Sequence, residues 1–181
     1  MRARVIALAV ALVAVVLVVA MCVRSPDKGP PEEGQAVEEL GDGVQSVLLA
    51  FASRGAWRMI EERREIVVMA DQASRARRVI EELAAGPVRD DADGTIPPGT
   101  KVNSVFFDGT GGAFVDFSRE FTDNHPGGSS GELFTIRSIV RTLAINFPDV
   151  ERVSILVEGR EIETIAGHID ATEPFPVEQY K

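Results

Sequence analysis

Residues Val5–Val23, VIALAVALVAVVLVVAMCV, run for nineteen positions without a charge. No other feature constrains the 181-residue chain as strongly. At about 1.5 Å of rise per residue, a helix of that length nearly matches the hydrocarbon thickness of a bilayer. Arg2 and Arg4 precede it. Two readings fit: an uncleaved anchor or a secretory signal. A signal has a shorter apolar region, about 7–15 residues, and a small-x-small cleavage site. Here the run is longer, and Met21 stands where a small residue would precede Cys22. We therefore expect residues 1–24 to form a single N-terminal transmembrane helix. The alternative is a lipoprotein attached at Cys22, although that pattern wants Gly, Ala or Ser directly before the cysteine. Cys22 is the sole cysteine, which excludes a disulfide framework and a cysteine metal site.

The rest of the chain divides by composition. Residues 25–43, SPDKGPPEEGQAVEELGDG, are rich in Pro, Gly and Glu and hold few large apolar groups. Such a segment cannot bury enough surface to fold alone and reads as a flexible linker. The formal charge is −9; residues 1–23 contain two arginines and no acid, which leaves −11 on the remainder. An acidic domain repels a phosphate backbone, so nucleic acid is excluded as a partner. A short N-terminus before a long C-terminal domain favours export of the domain. The expected location is the cell membrane, with the domain in the periplasm or on the cell surface.

Hydrophobic spacing supplies the elements. Val44–Phe51 and Glu65–Ala70 read as strands, with a turn and an irregular edge between them that holds Trp57, expected in the core or as a lid. Ala76, Val79, Ile80, Leu83 and Ala84 make one apolar stripe of a helix. Asp71 or Ser74 can cap its start, Arg78 and Glu82 can pair across one turn, and Gly86-Pro87 ends it. Two strand-like runs flank Asp108–Gly112, a turn-rich segment. Leu133, Ile136, Val140, Leu143 and Phe147 mark a second helix closed by Pro148. RVSILVEGREIET reads as strand, turn and short strand. The order β-α-β-β-α-β-β predicts one α+β domain, residues 44–176, followed by a tail, residues 177–181. In it two helices pack on one face of a mainly antiparallel sheet of three or four strands.

The stretch NHPGGSSGE, Asn124 to Glu132, opens the second helix. Ser129 stands three residues before Glu132, the spacing of a capping box. On that reading Gly127 and Gly128 turn the chain into the helix. Ser129→Ala is then expected to cost about 1 kcal/mol, and His125→Ala almost nothing. Asn124, His125, Pro126, Gly127, Gly128, Ser129 and Glu132, with Gly167, His168 and Asp170 further on, form the candidate interaction and structural loop.

Three blocks carry a resemblance: LAAGPVRDDADGTIPPGTKVNSV, AFVDFSREFTDNHPGGSSGE and ILVEGREIETIAGHIDATEPF. The matching pieces are Gly86-Pro87, Ile96-Pro97 with Gly99-Thr100, Val115-Asp116-Phe117-Ser118, Gly127-Gly128 and Gly167-His168-Ile169-Asp170. In this order they resemble the GerMN domain, from about Val47 to Phe175. The resemblance implies a membrane-attached, extracytoplasmic module with no established chemistry, similar to ring-building motifs of secretion and sporulation channels. Such a module meets an envelope protein or a peptidoglycan-proximal complex.

An enzyme reading competes with it. An envelope hydrolase or metal-binding enzyme acting on the cell wall would use His125, His168 and Asp170, with Asp116 and Ser129 or Ser130 nearby. The run Gly-Gly-Ser-Ser-Gly holds one residue too many for a nucleophile elbow. His168 and Asp170 lack a third metal ligand at a recognised spacing. No Walker loop is present. The expectation is therefore no enzyme, no catalytic residue, no metal and no cofactor. Asp116 is expected to face a helix start, and His168 and Asp170 to fix the last loop.

Overall fold

The computed structural model describes residues 43–55 and 58–180. The expected anchor, nearly all of the linker and Trp57 lie outside the described residues. Among the described residues, no helix is long and apolar enough to cross a membrane.

The chain begins with a hairpin of two long antiparallel strands, β1 (Val44–Ser53) and β2 (Met59–Val67), in register from Val44 opposite Val67 to Ala52 opposite Met59. A two-residue strand, β3 (Ala92–Asp93), pairs with the far end of β1 and completes a three-stranded sheet in the order β2-β1-β3. Helix α1 (Gln72–Ala84) lies between them in sequence and buries the expected stripe Ala76, Val79, Ile80 and Leu83. Asp71 is its N-cap and accepts the Ser74 amide at 2.9 Å. Gly86 ends it at φ 87°, a left-handed conformation that other residues adopt only with strain. The Arg78–Glu82 pair is formed.

The second sheet starts with the hairpin β4 (Val102–Phe107) and β5 (Gly112–Phe117). Asp108 clamps its turn: Oδ1 accepts the amides of Thr110 at 2.7 Å and Gly112 at 2.8 Å. Those two bonds hold its carboxyl at about 2. A short helix, α2 (Glu120–Asp123), and the long α3 (Ser129–Asn146) then carry the chain to β6 (Arg152–Val157), which lies parallel to β5. β7 (Arg160–Glu161) and β8 (Phe175–Pro176) both pair with the outer edge of β6, at its end and its start. The last turn, α4 (Val177–Tyr180), buries Val177, and Tyr180 meets Phe175 edge-on.

The α+β class is therefore as expected, but the single sheet is not. Among the described residues there are two sheets where one was expected; their pairing is mainly antiparallel, as expected, with one parallel pair, β5 and β6. β2 also starts at Met59, inside the charged segment MIEERREIV. Its inward-facing charges, Glu62 and Arg64, are matched. Glu62 is buried and accepts the amides of Val88 and Arg89, each at 3.0 Å. Arg64 bridges Glu62 at 2.6 Å, Glu82 at 3.1 Å and the Gly86 carbonyl at 2.8 Å. Both sheets and both long helices contribute to one core, with Phe117 stacked on Phe121 at 4.3 Å.

Along one side of α3 runs a polar row: Thr135, Ser138, Thr142 and Asn146, at steps of three, four and four residues. The first three are buried. The row faces the edge of β1 that β3 leaves open. Thr142 Oγ1 accepts the Ala50 amide at 3.0 Å, and Ser138 donates to the Ala50 carbonyl at 2.5 Å. Asn146 accepts the Leu48 amide at 3.2 Å and donates to the Leu48 carbonyl at 2.7 Å. Side chains of a helix thus stand in for a missing strand and leave no bare edge at these residues.

Candidate functional site

His125 and Pro126 of the NHPGG loop line one wall of a pocket of about 500 Å³. Ile96, Pro97, Pro98, Pro126 and Phe134 give the pocket its apolar character, and His125 and Thr135 supply polar groups. The loop is fastened at two places. Asn124 donates to the Pro98 carbonyl at 2.9 Å. The Gly127 amide donates to His125 Nδ1 at 3.0 Å. Nδ1 is therefore an acceptor, and the ring proton sits on Nε2, which donates to Thr135 Oγ1 at 3.1 Å. The Thr135 hydroxyl in turn donates to the Thr95 carbonyl at 2.6 Å. Burial pushes the His125 pKa below the ordinary histidine value, against the opposing pull of the Glu132 carboxylate. His125 is neutral at pH 7 and ties three segments together. These bonds argue against the expectation that His125→Ala leaves the fold nearly unchanged.

The capping box is also not formed. The N-cap of α3 is Gly128, at φ 82° and ψ 137°, with no side-chain cap bond. Ser129 is the first helical residue and is exposed. The reason lies with Glu132, which has a stronger use than reaching back to its own helix start. Its side chain is fully buried and grips the last loop. Oε1 accepts the His168 amide at 3.0 Å and His168 Nδ1 at 2.7 Å, and Oε2 accepts the Ile169 amide at 3.0 Å. Burial pushes the Glu132 carboxyl up, but the Ile169 amide, the His168 ring and further loop amides outweigh it. Its pKa lies below the ordinary glutamate range. Ser129→Ala is accordingly expected to change stability by less than about 0.5 kcal/mol in urea melts, as for a surface position without a special role.

The last loop closes as expected. Gly167 turns it at φ 96°. Asp170 accepts the Thr172 amide at 2.9 Å and pairs across the loop with Thr164. Asp116, expected at a helix start, instead accepts the Gly159 amide at 2.8 Å and fixes the β6–β7 turn. The structure thus brings Glu132 and His168 together directly, with His125 near enough to feel the Glu132 charge. Asp170 and Asp116 are engaged elsewhere. Among the described residues, no three His, Cys, Asp or Glu side chains converge to hold a metal ion. Thr95 and Thr135 escaped the sequence reading. The signal for Thr135 was the polar row on α3, which the apolar stripe beside it masks; Thr95 lies in the loop after β3, where the sequence marks no partner.

Two sheets on one core, with α3 packed on β1 and a loop held by Glu132, define a small α+β domain of GerMN type. The family model described as Germane, sporulation and spore germination, matches residues 49–163, and the chain belongs to that family. It is similar to the first GerMN domain of the sporulation protein GerM from Bacillus subtilis, with a TM-score of 0.56 and 22% identity. That match covers 73% of this chain and 97% of the other. The tandem GerMN domains of the same protein match with a TM-score of 0.54 and 20% identity, over 73% of this chain and 44% of theirs. A candidate lipoprotein from Clostridium perfringens matches with a TM-score of 0.55 and 22% identity, over 77% of this chain and 92% of that one. No curated protein matches the chain.

Proposed function

We propose that the chain is a membrane-anchored, extracytoplasmic and non-catalytic binding or assembly module of the bacterial cell envelope, of the sporulation and germination type. One observation carries this reading: the polar residues that catalysis would need are occupied separately in holding loops. Both ring nitrogens of His125 fix the pocket wall. His168 Nδ1 is committed to Glu132, and Asp170 to Thr172. Family membership supports the same reading.

In this proposal residues 1–24 span the membrane, residues 25–43 hold the domain away from it, and residues 44–176 make the contacts. Lipid attachment at Cys22 is the alternative anchor, and the likeness to a candidate lipoprotein speaks for it. The contact surface is the pair of loops Asn124–Gly128 and Gly167–Asp170, and the partner is an envelope protein or a peptidoglycan-proximal complex.

Two measurements test it. The intact mass of membrane-extracted protein should correspond to a chain that retains residues 1–21; a chain beginning at lipid-bearing Cys22 establishes the alternative anchor. A photo-crosslinking residue at exposed Pro126 should capture a discrete envelope partner, whereas one at exposed Asp90 should not. Turnover of cell-wall material that His168→Ala abolishes without loss of fold would replace this reading with an enzymatic one.

A further inference from the structure

We propose that the Asn124–Gly128 loop is a proton-operated switch in the pocket wall: protonation of His125 displaces the Gly127 amide from Nδ1 and releases the loop. The geometry requires this order of events. Nδ1 is the acceptor in the Gly127 bond, and Nε2 is the donor in the Thr135 bond. An imidazolium has two N–H groups and no acceptor. A proton arriving at Nδ1 from solvent therefore cannot coexist with the Gly127 amide at 3.0 Å. One of two donors facing each other must leave, and the light glycine backbone is free to do so. Gly127 and Gly128 both sit at positive φ, 79° and 82°, where a change of conformation meets no Cβ. The Nε2 bond to Thr135 survives protonation, so the ring stays while the loop moves.

The surroundings decide where the switch sits. Glu132 of α3 is the charge that favours the cation, but its oxygens are already occupied by His168 and Ile169. On the far wall, Asp93 of β3 is paired with Arg54 at 2.9 Å. Glu120 of α2 interacts with Ser118. Asp123 closes α2 just before the loop. Burial outweighs the Glu132 charge and keeps the neutral form dominant at pH 7. The sign follows. The folded state binds this proton less readily than the unfolded state. The closed loop is fully stable above the ordinary histidine value and is lost as pH falls through the lowered one.

A change of this wall would alter the pocket of about 500 Å³ that the loop helps to line. Its use in partner binding rests on the contact surface proposed above; the loop movement does not, and it is measured with no partner present. Amide hydrogen exchange of the full chain in detergent, corrected for intrinsic rates, is followed from about pH 7.5 down to about pH 5, around the ordinary histidine value. Protection of peptides covering residues 124–131 should fall by roughly tenfold or more, while β5 and β6 keep theirs. His125→Gln, which cannot take up the proton, should abolish that response, and β5–β6 protection reports whether the variant is folded. Loop protection that changes no more than that of β5–β6, or an unchanged response in a folded His125→Gln, overturns the switch. If the switch responds as expected and crosslinking from Pro126 finds no partner, the contact surface fails and the switch stands.

Discussion

Glu132→Gln is expected to destabilise the domain by about 2–4 kcal/mol at pH 7, although the two side chains are nearly the same shape. The carboxylate accepts from three donors with two oxygens, and all of them are fixed by the backbone or ring of the 168–169 loop. A glutamine amide has one oxygen and one NH2. Whichever way it points, the NH2 faces an N–H, and at least one donor loses its acceptor. Each orphaned group costs about 1–3 kcal/mol, and bonds to a charged acceptor are worth about 1.5–3 kcal/mol. The Glu132 side chain is fully buried, so solvent cannot take over at its two oxygens. The pH dependence gives a second signature. Because the Glu132 pKa is lowered in the folded state, its contribution is complete above the unfolded value of about 4.5 and is lost as pH falls through the folded one. Urea melts of the native chain should therefore lose stability in that acid window, and the Glu132→Gln chain should lose less. A loss below about 0.5 kcal/mol at pH 7 would show that the 166–170 loop does not depend on this carboxylate.

The contrast between Glu132 and α1 shows what a sequence can and cannot reveal here. In α1 every decisive signal is local. Apolar residues at one-turn spacing, an aspartate at the N-cap and a Gly-Pro stop lie within the seventeen positions from Asp71 to Pro87, and each does in the fold what its spacing says. The Asp108 turn is legible for the same reason. At the start of α3, local logic selects the wrong partner. Ser129 and Glu132 have capping-box spacing, but the amides that win Glu132 are 36 and 37 residues away. Only the tertiary fold brings them within reach. β2 fails as a sequence signal because its charges imitate a solvated loop. They are tolerated through Arg64 and the Val88 and Arg89 amides, contacts 18 to 27 residues distant. His125 combines both cases: its bond to Gly127 is local, while its role depends on Thr135 and Thr95, which the loop sequence does not mention. The blocks resembling the GerMN domain bypassed this difficulty, since a run of such blocks carries the tertiary arrangement with it.

Thr142→Val should cost about 1–3 kcal/mol, a large effect for a swap that barely changes volume. The polar row on α3 exists because β1 is paired on one edge along its whole length by β2 but on the other only at its end by β3. Leu48 and Ala50 point their amides and carbonyls at α3, where a strand would ordinarily meet them. Valine keeps the packing of Thr142 and removes its oxygen, which strands the buried Ala50 amide and incurs the desolvation penalty of one unpaired donor. Ser138→Ala strands the Ala50 carbonyl and also breaks the bond from Thr95 at 2.5 Å, so it loosens the pocket wall as well as the sheet. The two sites serve the same residue and lie one turn apart, so their effects should not add. Once the Ala50 amide has lost its partner and β1 has shifted, less remains for Ser138 to hold. A double-mutant cycle in urea checks this: the sum of the single losses should exceed the double loss by at least about 0.5 kcal/mol. Additive losses would mean that each hydroxyl acts on β1 alone. A neutral Thr142→Val would mean that water or a shift of β1 satisfies the Ala50 amide, and that α3 does not replace a strand.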